Sequence, residues 1–103
     1  MSVQNISLAE KVAVVTGGSR GIGFSVVQRL LEAGAQVMLT SINPLHVDKA
    51  LQDLGRYGGR VGALACDVAD PVQVNELIDA TLQRFGKADI LVNAAAVLGP
   101  IGP

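Results

Sequence analysis

A chain of 103 residues, half of them apolar and 17% charged, has material for one domain with a modest core and too much hydrophobicity for a disordered tail. Its formal net charge of -1 is spread over both signs with no basic block, which leaves no electrostatic footprint for nucleic acid or an anionic membrane surface. Met1 to Glu10 lack the basic and apolar regions of a leader, no apolar run approaches the ~18 residues of a membrane span, and a lone cysteine excludes an internal disulfide, so a cytoplasmic location is expected.

Two hydrophobic periodicities alternate along the chain. "KVAVVT" reads as a short, continuously apolar strand. In "RGIGFSVVQRLLEAG" the residues Ile22, Val26, Val27, Leu30 and Leu31 fall at helical spacing, with Gly34 just past the helix end. "AQVMLTS" is a second strand, after which Asn43 as cap and Pro44 at the first helical position open a helix carrying Leu45, Ala50, Leu51 and Leu54 on one side. "GRYGG" is a turn and "RVGALAC" a third strand, in whose apolar run Cys66 is expected as a buried, inert thiol. Asp70 as cap, Pro71 behind it and Gln73 at the capping-box position start a third helix, whose stripe of Val74, Leu77, Ile78, Leu82 and Phe85 runs to Gly86. "ADILVN" is a fourth strand and "AAAVLGPIGP" an unfinished loop.

The order β-α-β-α-β-α-β with short connections predicts an α/β fold. Continuous apolar strands separated by amphipathic helices require a parallel sheet covered on its faces, since each parallel crossover carries a helix back over the sheet. Right-handed crossovers with the usual reversal then give a Rossmann-type doubly wound sheet in strand order 3-2-1-4, with a ligand crevice at the carboxyl ends of strands one and four. Residues 1–103 are expected to form a single, incomplete domain, the cofactor-binding half of such a fold.

Gly17, Gly18, Gly21 and Gly23 lie between the first strand and the first helix, where the chain must turn sharply and admit a ligand close to its backbone. The helix mouth beyond them offers free N–H groups and the positive end of its dipole, which suits a pyrophosphate. The spacing Thr16-Gly17-x-x-x-Gly21-x-Gly23 resembles the short-chain dehydrogenase/reductase family, and "GGSRGIG" is similar to the glycine loop of its β-ketoacyl carrier-protein reductases. "CDVAD" resembles the family's acidic turn and "DILVNAAA" its Asn-Asn-Ala-Gly segment. The resemblance spans essentially the whole chain. It implies cofactor contacts from Gly17, Ser19, Arg20, Gly21, Ile22 and Gly23 in the loop, Asp67 at the adenine, Val68 against its ring, and Asn93 and Ala95 after the fourth strand. Two positions depart from the pattern: Ala94 replaces the usual second asparagine, and Ala96 replaces glycine near the expected nicotinamide ribose.

Ser41 stands where an NAD-preferring relative would carry its ribose-binding acid, and Arg20 can present a donor fork to a 2′-phosphate. NADP(H) is therefore expected over NAD(H), with Asn43 sharing the task and Ile42 standing where many NADP-preferring relatives carry a second arginine.

The resemblance implies hydride transfer between the cofactor and a small-molecule carbonyl or alcohol, with a tyrosine, a lysine four residues later and a serine at the reacting centre. Tyr57, the only tyrosine, is followed four residues later by Val61 and lies in a turn, where a surface position is expected; His46 reads as a partly exposed helix residue. No catalytic residue and no metal ligand is assigned. The expectation is a truncated or partial oxidoreductase, inactive alone and forming homo-oligomers only with a further C-terminal half. A non-catalytic dinucleotide-binding module and a nonproductive truncated product are the alternatives. The unpaired edge and apolar face of the fourth strand are expected to weaken stability.

Overall fold

The structure, a computed structural model, describes residues 7–94. Seven elements follow in order: β1 (Val12–Thr16), α1 (Gly21–Glu32), β2 (Gln36–Ser41), α2 (Pro44–Asp53), β3 (Val61–Ala65), α3 (Pro71–Phe85) and β4 (Ile90–Asn93). All strand pairs are parallel, and the sheet order is β3-β2-β1-β4, as the alternating periodicity predicts. Every residue of β1 is buried, which is why "VAVVT" carries no polar alternation: both of its faces are covered.

Chain direction decides which face each helix covers. From β1 the chain steps to β2 and on to β3, then returns past β1 to β4. Right-handed crossovers put α1 and α2 on one face during the outward steps and α3 on the other during the return. The core divides accordingly. Val27 and Leu31 of α1 and Ala50 of α2 pack with Val15, Val37, Leu39 and Val61, whereas Leu77 of α3 packs with Val14, Met38 and Cys66. Leu31 and Leu39 are almost wholly enclosed, each contributing about 1.5–3 kcal/mol relative to an exposed position.

The expected helix ends are present. Asn43 Oδ1 accepts the Leu45 N–H at 2.9 Å, Asp70 Oδ1 accepts the Val72 N–H at 3.0 Å, and Gly86 closes α3 in the left-handed conformation at φ 84°. The buried stripes are narrower than their apolar residues suggest. Ile22 is 55% exposed at the mouth of α1, ahead of the sheet. On α2 the buried residues are Val47 and Ala50, followed by Leu54 just past its end, a stripe at i, i+3 and i+7 that leaves Leu45 off it and 74% exposed. On α3 the buried pair is Leu77 and Thr81, leaving Ile78 and Leu82 about half exposed.

Ile78 lines a groove beside β4, which pairs only with β1 among the described residues and leaves Leu91 72% exposed. The apolar face expected of this strand is present at Leu91. Tyr57, in a 3-10 segment at Gly55–Arg60, is half-buried against the core and not simply on the surface. The Arg56 and Arg60 guanidinium groups lie 4.9 and 5.5 Å from its ring centroid. Arg60 also donates to the carbonyls of Leu31 and Ala35, fastening this turn to the end of α1. No helix among the described residues is long and apolar enough to cross a membrane.

Candidate functional site

The loop from β1 to α1 begins with Gly17 at φ 70° and reaches the helix through Gly21 at φ 63°, a backbone region that side chains disfavour by about 1–2 kcal/mol. Gly23 answers a different need. A Cβ there would stand 2.0 Å from the Gly17 carbonyl oxygen, so the first turn of α1 rests directly on the loop. A Cβ on Gly21 would meet nothing within 4 Å, so that position borders open space. The glycines thus divide between close helix packing at Gly23 and open backbone at Gly21.

β2 holds the loop in place. The Gly18 N–H donates to the Thr40 carbonyl at 2.9 Å and the Gly17 N–H to the Thr40 hydroxyl at 3.4 Å. Thr40 supports the loop although its spacing in β2 does not single it out; its signal is a hydroxyl following the apolar run Val37, Met38 and Leu39. Arg20 occupies the cap position of α1 in an extended conformation, without a side-chain cap hydrogen bond. The leading N–H groups and positive dipole end of α1 therefore face the loop without a capping side chain, an arrangement that receives anions.

A cleft of about 510 Å³ runs over the carboxyl ends of β1, β2 and β3. Ser19 and Arg20 line it from the loop, Ser41, Asn43 and His46 from the end of β2 and the start of α2, and Asp67 and Val68 from the end of β3. The β2 wall is rich in donors. Ser41 Oγ accepts the Asn43 N–H at 3.2 Å, and Asn43 Oδ1 is engaged by the Leu45 N–H, which leaves the serine hydroxyl hydrogen and the asparagine amide hydrogens to donate. Ile42, 72% exposed, adds apolar surface and no charge.

Asp67 is fixed from two sides. Its Oδ1 accepts the Ala69 N–H at 2.9 Å, and its own N–H donates to Gln73 Oε1 at 2.8 Å. Gln73 also donates through Nε2 to Asp70 Oδ2 at 3.0 Å. The capping-box expectation is corrected here: Gln73 reaches beyond the Asp70 backbone, which bonds the Asp67 carbonyl instead, and clamps the turn that carries Asp67. Cys66 is buried as expected; its thiol pKa is pushed up by desolvation, with the negative charges of Asp67, Glu76 and Asp70 adding to the rise.

Of the other sequence-singled residues, Gly21 and Ile22 lie exposed at the mouth of α1 and Gly23 is buried beneath the loop. Asn93 stands at the end of β4, where the Thr16 hydroxyl donates to its amide oxygen at 2.8 Å. It borders an apolar groove of about 370 Å³ between α3 and β4, which meets the cleft at Val68. Ala95 and Ala96 lie outside the described residues.

The family description short chain dehydrogenase matches residues 11–102. The chain is 41% identical over 95 residues to 1-deoxy-11-beta-hydroxypentalenate dehydrogenase of Streptomyces avermitilis, covering 92% of this chain and 35% of that protein. Hydroxysteroid dehydrogenase from Escherichia coli superposes with a TM-score of 0.81 at 31% identity, covering 90% of this chain and 39% of the other. 3-Ketoacyl-(acyl-carrier-protein) reductase from Brucella melitensis, solved in complex with NADH, gives a TM-score of 0.75 at 32% identity over 82% of this chain and 34% of the other. The chain spans little more than a third of the length of the curated relatives it matches.

Proposed function

Because this chain belongs to the short-chain dehydrogenase family, we propose that residues 1–103 are the cofactor-binding portion of an oxidoreductase that transfers hydride between NADP(H) and a small-molecule carbonyl or alcohol. The nicotinamide supplies or accepts the hydride. The residues of this chain bind and orient the dinucleotide. Open space at Gly21 and the uncapped mouth of α1 suit the pyrophosphate, with Gly17, Ser19, Ile22 and Gly23 shaping the loop around it. Asp67 Oδ1 is engaged by its own turn, and its other oxygen, without a hydrogen bond among the described residues, suits the adenine amine. Val68, 40% exposed, suits the ring face, and Asn93 and Ala95 the nicotinamide end.

The observation that carries the cofactor choice is the donor-rich end of β2, where Ser41 and Asn43 face Arg20 across one cleft. A 2′-phosphate accepts from such a wall, whereas a ribose diol gains most from a carboxylate, and none stands on β2. A charge-assisted hydrogen bond contributes about 1.5–3 kcal/mol, or roughly one to two decades of affinity. Tyr57 is no proton donor for this reaction: its turn precedes β3, at the opposite end of the sheet from the cleft. The single buried thiol suits the reducing cytoplasm, where we place the protein.

Calorimetric titration of the chain with NADPH and NADH tests the proposal. NADPH should bind one to two decades more tightly, and Arg20→Ala should remove most of that difference while leaving NADH unchanged. Equal affinities, or tighter NADH, refute the cofactor choice; no heat from either nucleotide refutes the function.

A further inference from the structure

We propose that His46 is a proton-linked specificity residue, whose imidazolium shares the 2′-phosphate of NADP(H) with Arg20, so that discrimination against NAD(H) sharpens as pH falls. The inference rests on the cofactor reading above and adds a residue and a regulation to it. His46 is half-buried in the first turn of α2 and lines the same cleft as Arg20, Ser41 and Asn43. Its backbone N–H donates to the Asn43 carbonyl at 3.0 Å, which sets it one helical turn from that cap residue and on the same side of the helix. The adjoining Val47 is buried against the sheet, so α2 cannot roll His46 away from the cleft without exposing its own core residue.

Charge bookkeeping within the cleft gives His46 its weight. Arg20 and Asp67 contribute opposite signs, and Ile42 contributes none. A neutral imidazole leaves this wall with no net charge; an imidazolium makes it cationic. Asp48 and Lys49 sit on the same helix, the latter paired with Asp53 at 3.4 Å, and Cys66 borders the cleft on the β3 side. Burial and neighbouring acids push the Cys66 thiol up, so it stays protonated and uncharged through neutral pH. Arginine carries its charge throughout, and histidine is the side chain type whose charge ordinarily changes between pH 5 and 8.

The sign follows from linkage. A dianionic phosphate beside the ring favours the protonated form, so binding takes up a proton, and affinity for the phosphorylated dinucleotide rises as pH falls. The second ionisation of the phosphate, near ~6, opposes this at lower pH, through a protonation of the free nucleotide that is common to every variant. Measurements between pH 6.5 and 8.5 keep that contribution small.

Dissociation constants of NADPH and NADH are to be measured at both pH values for the unaltered chain, His46→Gln and His46→Lys. The ratio favouring NADPH should grow about five- to tenfold from pH 8.5 to 6.5 in the unaltered chain. His46→Gln should flatten that dependence and hold the ratio near its pH 8.5 value. His46→Lys should keep a high ratio at both pH values, and NADH affinity should remain unchanged in all three. Calorimetry in buffers of different ionisation enthalpy should register proton uptake with NADPH that His46→Gln abolishes. An unaltered pH dependence in His46→Gln, or an equal loss of NADPH and NADH affinity, overturns the role of His46 while leaving the cofactor reading intact. Absence of binding by both nucleotides overturns the cofactor reading, and this inference falls with it.

Discussion

Gly23→Ala isolates the packing role of the glycine loop from its ligand-facing role. The added methyl would lie 2.0 Å from the Gly17 carbonyl oxygen, 2.8 Å from the Gly17 carbonyl carbon and 3.0 Å from the Gly18 Cα. Ordinary contact begins near 3.4 Å, so helix and loop must separate by about 1.4 Å. The obstacle is backbone, held to β2 through Thr40, and it has no side-chain rotamer through which to relieve the overlap. Alanine gains about 1 kcal/mol of helix propensity over glycine, while overpacking costs about 1–3 kcal/mol in a well-packed region and more when the obstacle is rigid. The clash wins. A net loss of roughly 2 kcal/mol in a domain of this size lowers the melting temperature by about 8–16 °C. Gly21→Ala is the paired control: its φ of 63° is disfavoured for alanine, yet no atom lies within 4 Å, so its cost should stay near ~1 kcal/mol. Thermal unfolding followed by circular dichroism reads both variants. If Gly23→Ala melts within about 2 °C of the unaltered chain, or if Gly21→Ala is the more damaged of the two, the division of labour argued for this loop is wrong.

Two further predictions concern the supports around the sheet. Gln73→Leu removes the acceptor of the Asp67 N–H and the donor to Asp70, so the Asp67 amide should lose its protection in hydrogen exchange and stability should fall by about 1 kcal/mol; unchanged protection would show that the turn holds itself. Asp89 Oδ2 accepts the Val12 N–H at 2.9 Å and lies 3.4 Å from Lys87 Nζ. That hydrogen bond, against the opposing effect of desolvation and with help from Lys87 and the charge of Lys11, holds its carboxyl below the usual range. A lowered folded-state value contributes stability above the unfolded carboxyl range, and that contribution is lost as pH falls below ~4 toward the folded value. The gap in urea midpoint between the unaltered chain and Asp89→Asn should therefore be present at neutral pH and shrink in acid, and a gap independent of pH would contradict the assignment.

Strand order was legible because its causes are local or chiral. Uninterrupted apolar runs such as "VAVVT" can be satisfied only by burial on both faces, and right-handed crossovers combined with the usual reversal of a doubly wound sheet then give this order for four strands and three helices. Helix starts at Asn43 and Asp70 were legible for the same reason, since a cap bonds a neighbour two residues on. The face of α2 was legible only in part. Val47, Ala50 and Leu54 recur at i, i+3 and i+7, the helical period, so the buried stripe begins at Val47, and Leu45, two residues earlier, falls off it. Gln73 obeyed a tertiary demand over a local one. Its amide answers an N–H presented by the end of β3, and sequence spacing carries no record of that strand's position. Thr40 was silent for a related reason: the loop it holds is distant in sequence and arrives beside it through the pairing of β1 with β2.

The cleft extends this dependence of residue meaning on partners. Arg20 in isolation is an exposed cation in a loop, and Ser41 a small polar residue at a strand end. Parallel pairing of β1 with β2 brings the two to one wall, and pairing of β2 with β3 brings Asp67 to the same cleft. On the proposed reading, nothing in this arrangement clashes with a ribose diol. The Ser41 oxygen, though engaged by the Asn43 N–H, retains a second lone pair for it. Discrimination is a difference of two affinities, and here it comes from what the phosphate gains, with little penalty on the competitor. A cleft built this way should bind NADH weakly but measurably, and its selectivity should move with anything that changes the positive charge of the wall. That is why a single imidazole among its lining residues matters more than its place early in a surface helix suggests.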